Sequence, residues 1–296
     1  MMSVKKEYIP HAWETVSCPF CGSDQYNPYQ RFGSRLQYQS VLCSNCRLVY
    51  LSPRPKYDQT FIDAAYASYY QYAENLELNN ETKVLHSNVE LFEKELAYIE
   101  KYDPVKNAVL DVGSGMGTFL FAAKAYYPHT VGLDVSVNMA RFVEKQLGVT
   151  VFICQLEKFE YPEKFSMIHM SHVLEHIPNP VEWLLKARDL LDPRGVLIIN
   201  VPNKFSATRL FQQALCKLRI KKQFSSKWKN PAVTPDHLFE PTIPSMKYVL
   251  NKTGYKVLEY YTYSRKDPAS NQSLLSRFYN RILKTGSNMT FICRPL

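Results

Sequence analysis

Apolar residues along this chain fall into two recurring patterns. Short runs around Val109–Leu110, Val131–Leu133, Val149–Ile153, Phe165–Met170, Val196–Val201, Tyr255–Tyr260 and Met289–Cys293 have the length and β-branched content of buried strands. The segments between them carry apolar residues at helical spacing. Strands alternating with helices predict a doubly wound α/β domain with a mainly parallel sheet over 104–296. Upstream, 56–103 reads as helical, rich in tyrosine (Tyr66, Tyr69, Tyr70, Tyr72) and ending in the amphipathic run Val89–Ile99. Within 1–55 the pattern changes again. Tyr38–Leu42 and Leu48–Leu51 read as two short strands, and Ser52-Pro53-Arg54-Pro55 as an extended proline-bounded exit.

Four of the seven cysteines decide how that first segment folds. Cys18-Pro19-Phe20-Cys21 and Cys43-Ser44-Asn45-Cys46 each place two thiolates on one tight turn, and two such knuckles complete the S₄ set that zinc prefers. The layout predicts a zinc ribbon. A closed Cys₄ site has no open coordination position, so its metal is expected to be structural, replacing a core that so short a segment cannot build. Cys154, Cys216 and Cys293 lack such partners and read as ordinary core residues.

The strongest chemical signal is Asp111-Val112-Gly113-Ser114-Gly115-Met116-Gly117-Thr118 at the end of the first sheet strand. Glycines there let the backbone approach a ligand closely, where open α/β sheets bind their ligands. A dinucleotide fingerprint would need glycine where Thr118 stands. Asp111 suits a cationic amine rather than a pyrophosphate, and Asp134 at the end of the next strand suits a ribose diol.

These residues resemble a known family. Asp111–Gly117 looks like motif I of the class I S-adenosylmethionine (SAM)-dependent methyltransferases, of the type 11/23-like group, and Asp134 matches the acid of their second motif. The resemblance runs from about Val105 to the carboxyl terminus. It implies a Rossmann-like sheet of seven mostly parallel strands and S-adenosyl-L-methionine as methyl donor. It also implies that Asp111 and the backbone of Gly113, Ser114, Gly115 and Gly117 face the methionine moiety, and Asp134 the ribose. Val135, Gln155 and Leu156 would meet the adenine, and Ser171 would approach the cofactor. The ribbon, its proline-rich exit and the tyrosine-rich helices resemble one subgroup among bacterial biosynthetic methyltransferases.

Candidate catalysts come from Ser171-His172-Val173-Leu174-Glu175-His176 and from His237 in Asp236-His237-Leu238-Phe239. The H-x-x-E-H order also occurs in metalloproteases, but that chemistry needs a continuous helix, and Pro178 and Pro180 interrupt soon after. In the resembling family this segment is the loop after strand four, and the His237 segment borders the active site. An imidazole titrating near neutrality suits a general base, so His176 or His237 is expected to deprotonate the acceptor, with His172 beside the cofactor.

The formal net charge of +9 favours anionic partners without choosing among them. Much of the excess lies in 204–235, where Lys204, Arg209, Lys217, Arg219, Lys221, Lys222, Lys227 and Lys229 meet no acid before Asp236. This cationic amphipathic insertion suits a lid over a phosphorylated substrate, a peripheral membrane contact through 204–229, or an RNA contact. No run is long and apolar enough to span a bilayer, and the first residues lack a secretory apolar core, so a cytoplasmic enzyme is expected. The expected reaction is methyl transfer to oxygen or carbon of a small-molecule, sugar or lipid-linked biosynthetic intermediate. The alternative is an RNA methyltransferase gripping nucleic acid with ribbon and insertion.

Overall fold

The computed structural model describes residues 9–33, 36–79, 89–207, 209–210, 235–263 and 285–296. The amino-terminal module contributes β1 (Trp13–Glu14), β2 (Tyr26–Phe32), β3 (Tyr38–Cys43), β4 (Val49–Leu51) and β5 (Arg54–Pro55). Helices α1 (Gln59–Asn79) and α2 (Val89–Ile99) follow. Next come β6 (Ala108–Val112), α3 (Thr118–Ala123), β7 (His129–Asp134), α4 (Val137–Leu147), β8 (Val151–Ile153) and β9 (Phe165–Ser171). The chain continues through α5 (Pro180–Leu190), β10 (Leu191–Pro202), β11 (Phe239–Glu240), α6 (Ile243–Lys252), β12 (Tyr255–Tyr263) and β13 (Asn288–Pro295).

Seven strands form the central sheet in the order β12-β13-β10-β9-β6-β7-β8. From β8 through β10 all neighbours are parallel, whereas β13 runs antiparallel to both β10 and β12. The central strand β6 is buried throughout, because helices cover both faces, and this is why it reads as an apolar run rather than an alternation. The chain leaves β6 toward β7 and β8, then returns to place β9 on β6's other side. That reversal opens a crevice at the carboxyl ends of β6 and β9, the switch point at which such sheets take ligands. Local signals set the helix ends nearby. Ser136 caps α4 by accepting the Met139 N–H at 3.3 Å, and Gly148 ends it in the left-handed region.

A second sheet, ordered β11-β4-β3-β2, joins the two ends of the chain, since β11 comes from just before α6 and pairs with β4 of the amino-terminal module. Two of its strands lie outside the sequence expectation. β2 is polar and mostly exposed, with a bulge between Pro28 and Gln30, as a proline-bearing edge strand must be. β11 is only two residues long. The third sheet strand begins at Val151 rather than Val149, whose side chain instead packs with α4 in a satellite core.

Most of the basic insertion lies outside the described residues, as does Cys216. Its first two cations are committed internally, because Lys204 and Arg209 both ion-pair with the buried carboxylate of Glu240. Burial works against that charge, but the two cations hold the Glu240 carboxyl down at about 2. Among the described residues no helix is long and apolar enough to cross a membrane.

Candidate active site

A cleft of about 630 Å³ opens at the switch point. That is a size suited to a nucleoside-sized ligand. Its floor is the turn after β6. Gly113 and Ser114 donate their N–H groups to the Leu133 carbonyl at 2.7 and 3.1 Å, locking this turn onto β7. Gly113 has φ 71°, and a Cβ there would lie 2.4 Å from Val173 Cγ2, so only glycine fits. Gly115 faces open space with Tyr69 Oη as its nearest neighbour at 3.9 Å.

Asp134 ends β7 inside the cleft. Its carboxylate accepts the Gly115 N–H at 2.9 Å, the Ser136 N–H at 2.8 Å and the Tyr69 hydroxyl at 3.2 Å. Burial pushes the Asp134 carboxyl above its usual range, opposed by those two backbone N–H groups and the tyrosine. The Tyr69 contact shows that a hydroxyl, the group a ribose presents, fits against this carboxylate. Tyr57, Tyr66, Tyr69 and Tyr70, from α1 and the residues before it, line the cleft together with Val135 and Gln155.

Other residues expected at the cofactor lie outside the lining of this cleft. Asp111 is buried beneath the floor, where it accepts the His169 Nδ1–H at 2.7 Å. His169 Nε2 lies 3.4 Å from Asn200 Nδ2, and Asn200 Oδ1 accepts the Thr290 hydroxyl at 2.5 Å. Burial raises the Asp111 carboxyl, and His169 opposes the shift. Gly117 faces α4, not the cleft, because a Cβ there would meet Val143 at 2.9 Å. Ser114 is buried, and Leu156 is a core residue. The cleft itself brings together Gly113, Gly115, Asp134, Val135, Gln155, Ser171, His172 and His176.

The loop after β9 carries the candidate catalysts. His172 sits in the left-handed region at φ 56° and points Nδ1 at Glu175 Oε1, 3.2 Å away. His176 donates Nδ1–H to the Asp236 carbonyl at 2.7 Å, which fixes the neutral ring's tautomer with its lone pair on Nε2, and the residue lines the cleft. His237 stands behind it, ring centroids 4.8 Å apart and nearly perpendicular, with Nε2 3.9 Å from Glu175 Oε1.

Glu175 is wholly buried at the centre of these three imidazoles, and its Oε2 has no hydrogen-bond partner. Burial alone would raise its carboxyl. The His172 hydrogen bond and the surrounding histidines outweigh that and hold it below the usual range. Burial, assisted by His176, lowers His237, opposed by the carboxylates of Glu175, Asp236 and Glu240. Donor atoms of Glu175, His176 and His237 lie within 4.8 Å of one another, close enough to share a cation.

Glu175, Asp236 and Tyr69 were not among the sequence candidates. Two of them left a trace there: Glu175 in the H-x-x-E-H run, and Tyr69 in the i, i+3, i+4 tyrosine face of α1.

In the amino-terminal module the four sulfurs of Cys18, Cys21, Cys43 and Cys46 lie within 4.8 Å of one another. Cys18 and Cys46 sulfurs are 3.4 Å apart, and those of Cys21 and Cys43 3.5 Å, too far for disulfides. Four thiolates about 2.3 Å from one ion would be separated by about 3.8 Å, so the donor set fits tetrahedral zinc. Hydrogen bonding to Cys46 and burial raise the Cys18 thiol, the state that a bound cation reverses.

Comparison with known proteins agrees with this geometry. A family model described as a methyltransferase domain matches residues 84–260. A ubiquinone biosynthesis O-methyltransferase of Histophilus somni is 33% identical over 107 residues, covering 32% of this chain and 45% of that protein. A phosphoethanolamine N-methyltransferase of Triticum aestivum is 29% identical over 117 residues, covering 37% and 24%. The aligned region thus spans less than half the length of these curated relatives. A SAM-dependent methyltransferase structure from Archaeoglobus fulgidus aligns at TM-score 0.49 with 17% identity, covering 72% of this chain and 100% of that one. With the family model spanning well over half its length, the chain belongs to the class I SAM-dependent methyltransferases.

Proposed function

We propose that this protein transfers the methyl group of SAM to a small biosynthetic acceptor, with His176 as the general base. The observation that carries this reading is the fixed tautomer of His176, whose Nδ1 is held by the Asp236 carbonyl while the ring lines the cleft. Asp134 and the Gly113–Gly115 backbone hold the nucleoside and its amino-acid tail. Val135 and Gln155 border the adenine. Asp111 acts from below by bracing the turn through His169. Bound there, SAM supplies a methyl group already activated by its sulfonium.

The protein's remaining tasks are to place the acceptor and to accept its proton. Tyr57, Tyr66 and Tyr70 cover the cleft and exclude water. His176 Nε2 takes the acceptor proton, and the buried Glu175 carboxylate stabilises the imidazolium that forms, as an orienting acid does in other His-based sites. A base of this kind suits a hydroxyl or an acidic carbon, such as those of a sugar, phenol or lipid-linked intermediate. The four cysteines hold one structural zinc.

An RNA substrate is disfavoured by two observations. The module's β4 is used for docking to β11, and the first two cations of the insertion are spent on Glu240. Incubation with methyl-labelled SAM and either a small-molecule extract or total RNA tests the reading. Label is expected in the extract alone; label confined to RNA would replace this proposal with the nucleic-acid one.

A further inference from the structure

A continuous set of contacts runs from the four-cysteine module to the catalytic loop. In the first knuckle, Phe20 packs edge-on against Phe239 of β11 at 5.1 Å, and its carbonyl accepts the Lys252 ammonium of α6 at 3.0 Å. Just after the second knuckle, the Arg47 carbonyl accepts the hydroxyl of Thr242, the residue that caps α6, at 3.1 Å. Between these points β4 pairs with β11, and the Leu51 N–H donates to the Leu238 carbonyl at 3.0 Å.

The other side of the same short segment faces the active site. Leu238 N–H donates to the Glu175 carbonyl at 2.9 Å, and the Asp236 carbonyl holds His176 Nδ1. Residues 236–240 are therefore a strip one strand wide, gripped on one edge by the module and on the other by the catalytic loop. A two-residue strand has no stability of its own and takes its position from its neighbour. Its neighbour β4 belongs to a small module that depends on metal for rigidity. Among the described residues from Cys18 to Cys46, none lines the cleft.

We propose that the four-cysteine module is the positioning device for the base. By fixing the 236–240 strip it sets the Asp236 carbonyl, and through it the tautomer and aim of His176, while contributing nothing to cofactor affinity. Phe239, Lys252 and Leu238 are the positioning residues of this linkage. The inference rests on the reading of His176 as the base and of the cysteines as a zinc site. Displacing a catalytic group by about 1 Å costs on the order of 10²-fold in rate, so a loosened strip is expected to show in turnover before it shows in binding.

The test compares the wild-type full chain with Phe239→Ala and with the milder Lys252→Met, both of which keep all four cysteines. Four quantities are read: zinc per chain, calorimetric affinity for S-adenosylhomocysteine, hydrogen exchange of the Leu238 amide by NMR, and labelled-methyl transfer into a small-molecule extract. Expected in both variants are undiminished zinc, cofactor-product affinity within about twofold of wild type, faster Leu238 exchange and slower transfer. Phe239→Ala should lose at least tenfold in transfer, and Lys252→Met less. His176→Ala serves as reference, losing transfer while Leu238 stays protected.

Faster Leu238 exchange with undiminished transfer overturns the proposal, and so does slower transfer with Leu238 still protected. A parallel loss of affinity for S-adenosylhomocysteine also overturns it, showing general support of the fold. Wild-type chain that takes up no S-adenosylhomocysteine refutes the functional reading beneath it, whatever the variants do.

Discussion

Replacing Glu175 with glutamine keeps its shape and removes one buried charge from among three histidines. The carboxylate lies 3.2 Å from His172 Nδ1 and 3.9 Å from His237 Nε2, and within 4.8 Å of a His176 ring nitrogen. A unit charge pair about 4.8 Å apart in a medium of effective dielectric about 20 interacts by about 3.5 kcal/mol. Solvent and protein relaxation around the amide recover part of this, leaving a loss of about 2 kcal/mol of imidazolium stabilisation in the transition state. That corresponds to roughly 30-fold in kcat.

Two further consequences distinguish this from simple damage. Glu175 is absent from the cleft lining, so SAM affinity should stay within about twofold of wild type. The carboxylate also supports protonation of His237, so in Glu175→Gln that histidine should titrate at still lower pH. Labelled-methyl transfer, calorimetry and an NMR titration of the His237 ring measure the three quantities. Undiminished transfer by Glu175→Gln would refute the assignment of Glu175 as the group that stabilises the protonated base. A rate loss matched by an equal loss of SAM affinity would refute it as well.

Other expectations follow from the same geometry. Asp134→Ala removes the acceptor for two hydroxyls of a ribose, each charge-assisted bond contributing about 1.5–3 kcal/mol, so SAM affinity should fall by at least about 10²-fold in calorimetry. Zinc analysis of the purified chain should give one ion, lost in Cys43→Ser together with several degrees of melting temperature. Glu240 and Glu175 both have folded-state pKa values below their unfolded ones, so their stabilisation is present above about pH 4.3 and is lost on acidification through the folded values. Denaturant titrations at pH 7 and pH 3 should therefore show a larger stability loss for wild type than for Glu240→Gln.

What could be read before the structure shares one property: its chemistry lies within a few adjacent residues. The two C-x-x-C turns, the Asp111–Gly117 turn and Asp134 announce themselves by spacing, and the buried parallel strands by unbroken apolar runs. The contacts that organise the active site join distant parts of the chain. His176 and the Asp236 carbonyl are 60 residues apart, and Tyr69 and Asp134 are 65 apart. β11 is invisible in sequence because two residues carry no period, and its placement depends on a module nearly two hundred residues earlier.

Asp111 shows the opposite case. The motif drew attention to the right turn, but the alternation of a strand aims that carboxylate at His169 beneath the sheet rather than into the cleft. Glu175 looked like one member of a histidine-rich string. Burial amid imidazoles from two separate segments is what makes it central.

The central claim is that the cleft between β6 and β9 holds a sulfonium nucleoside through Asp134. Titrating the purified chain with S-adenosylhomocysteine by calorimetry, in parallel with its Asp134→Ala variant, is the decisive test. One site per chain is expected in the wild type, with affinity at least about 10²-fold weaker in the variant. Equal affinity in both, or no heat in either, would contradict it.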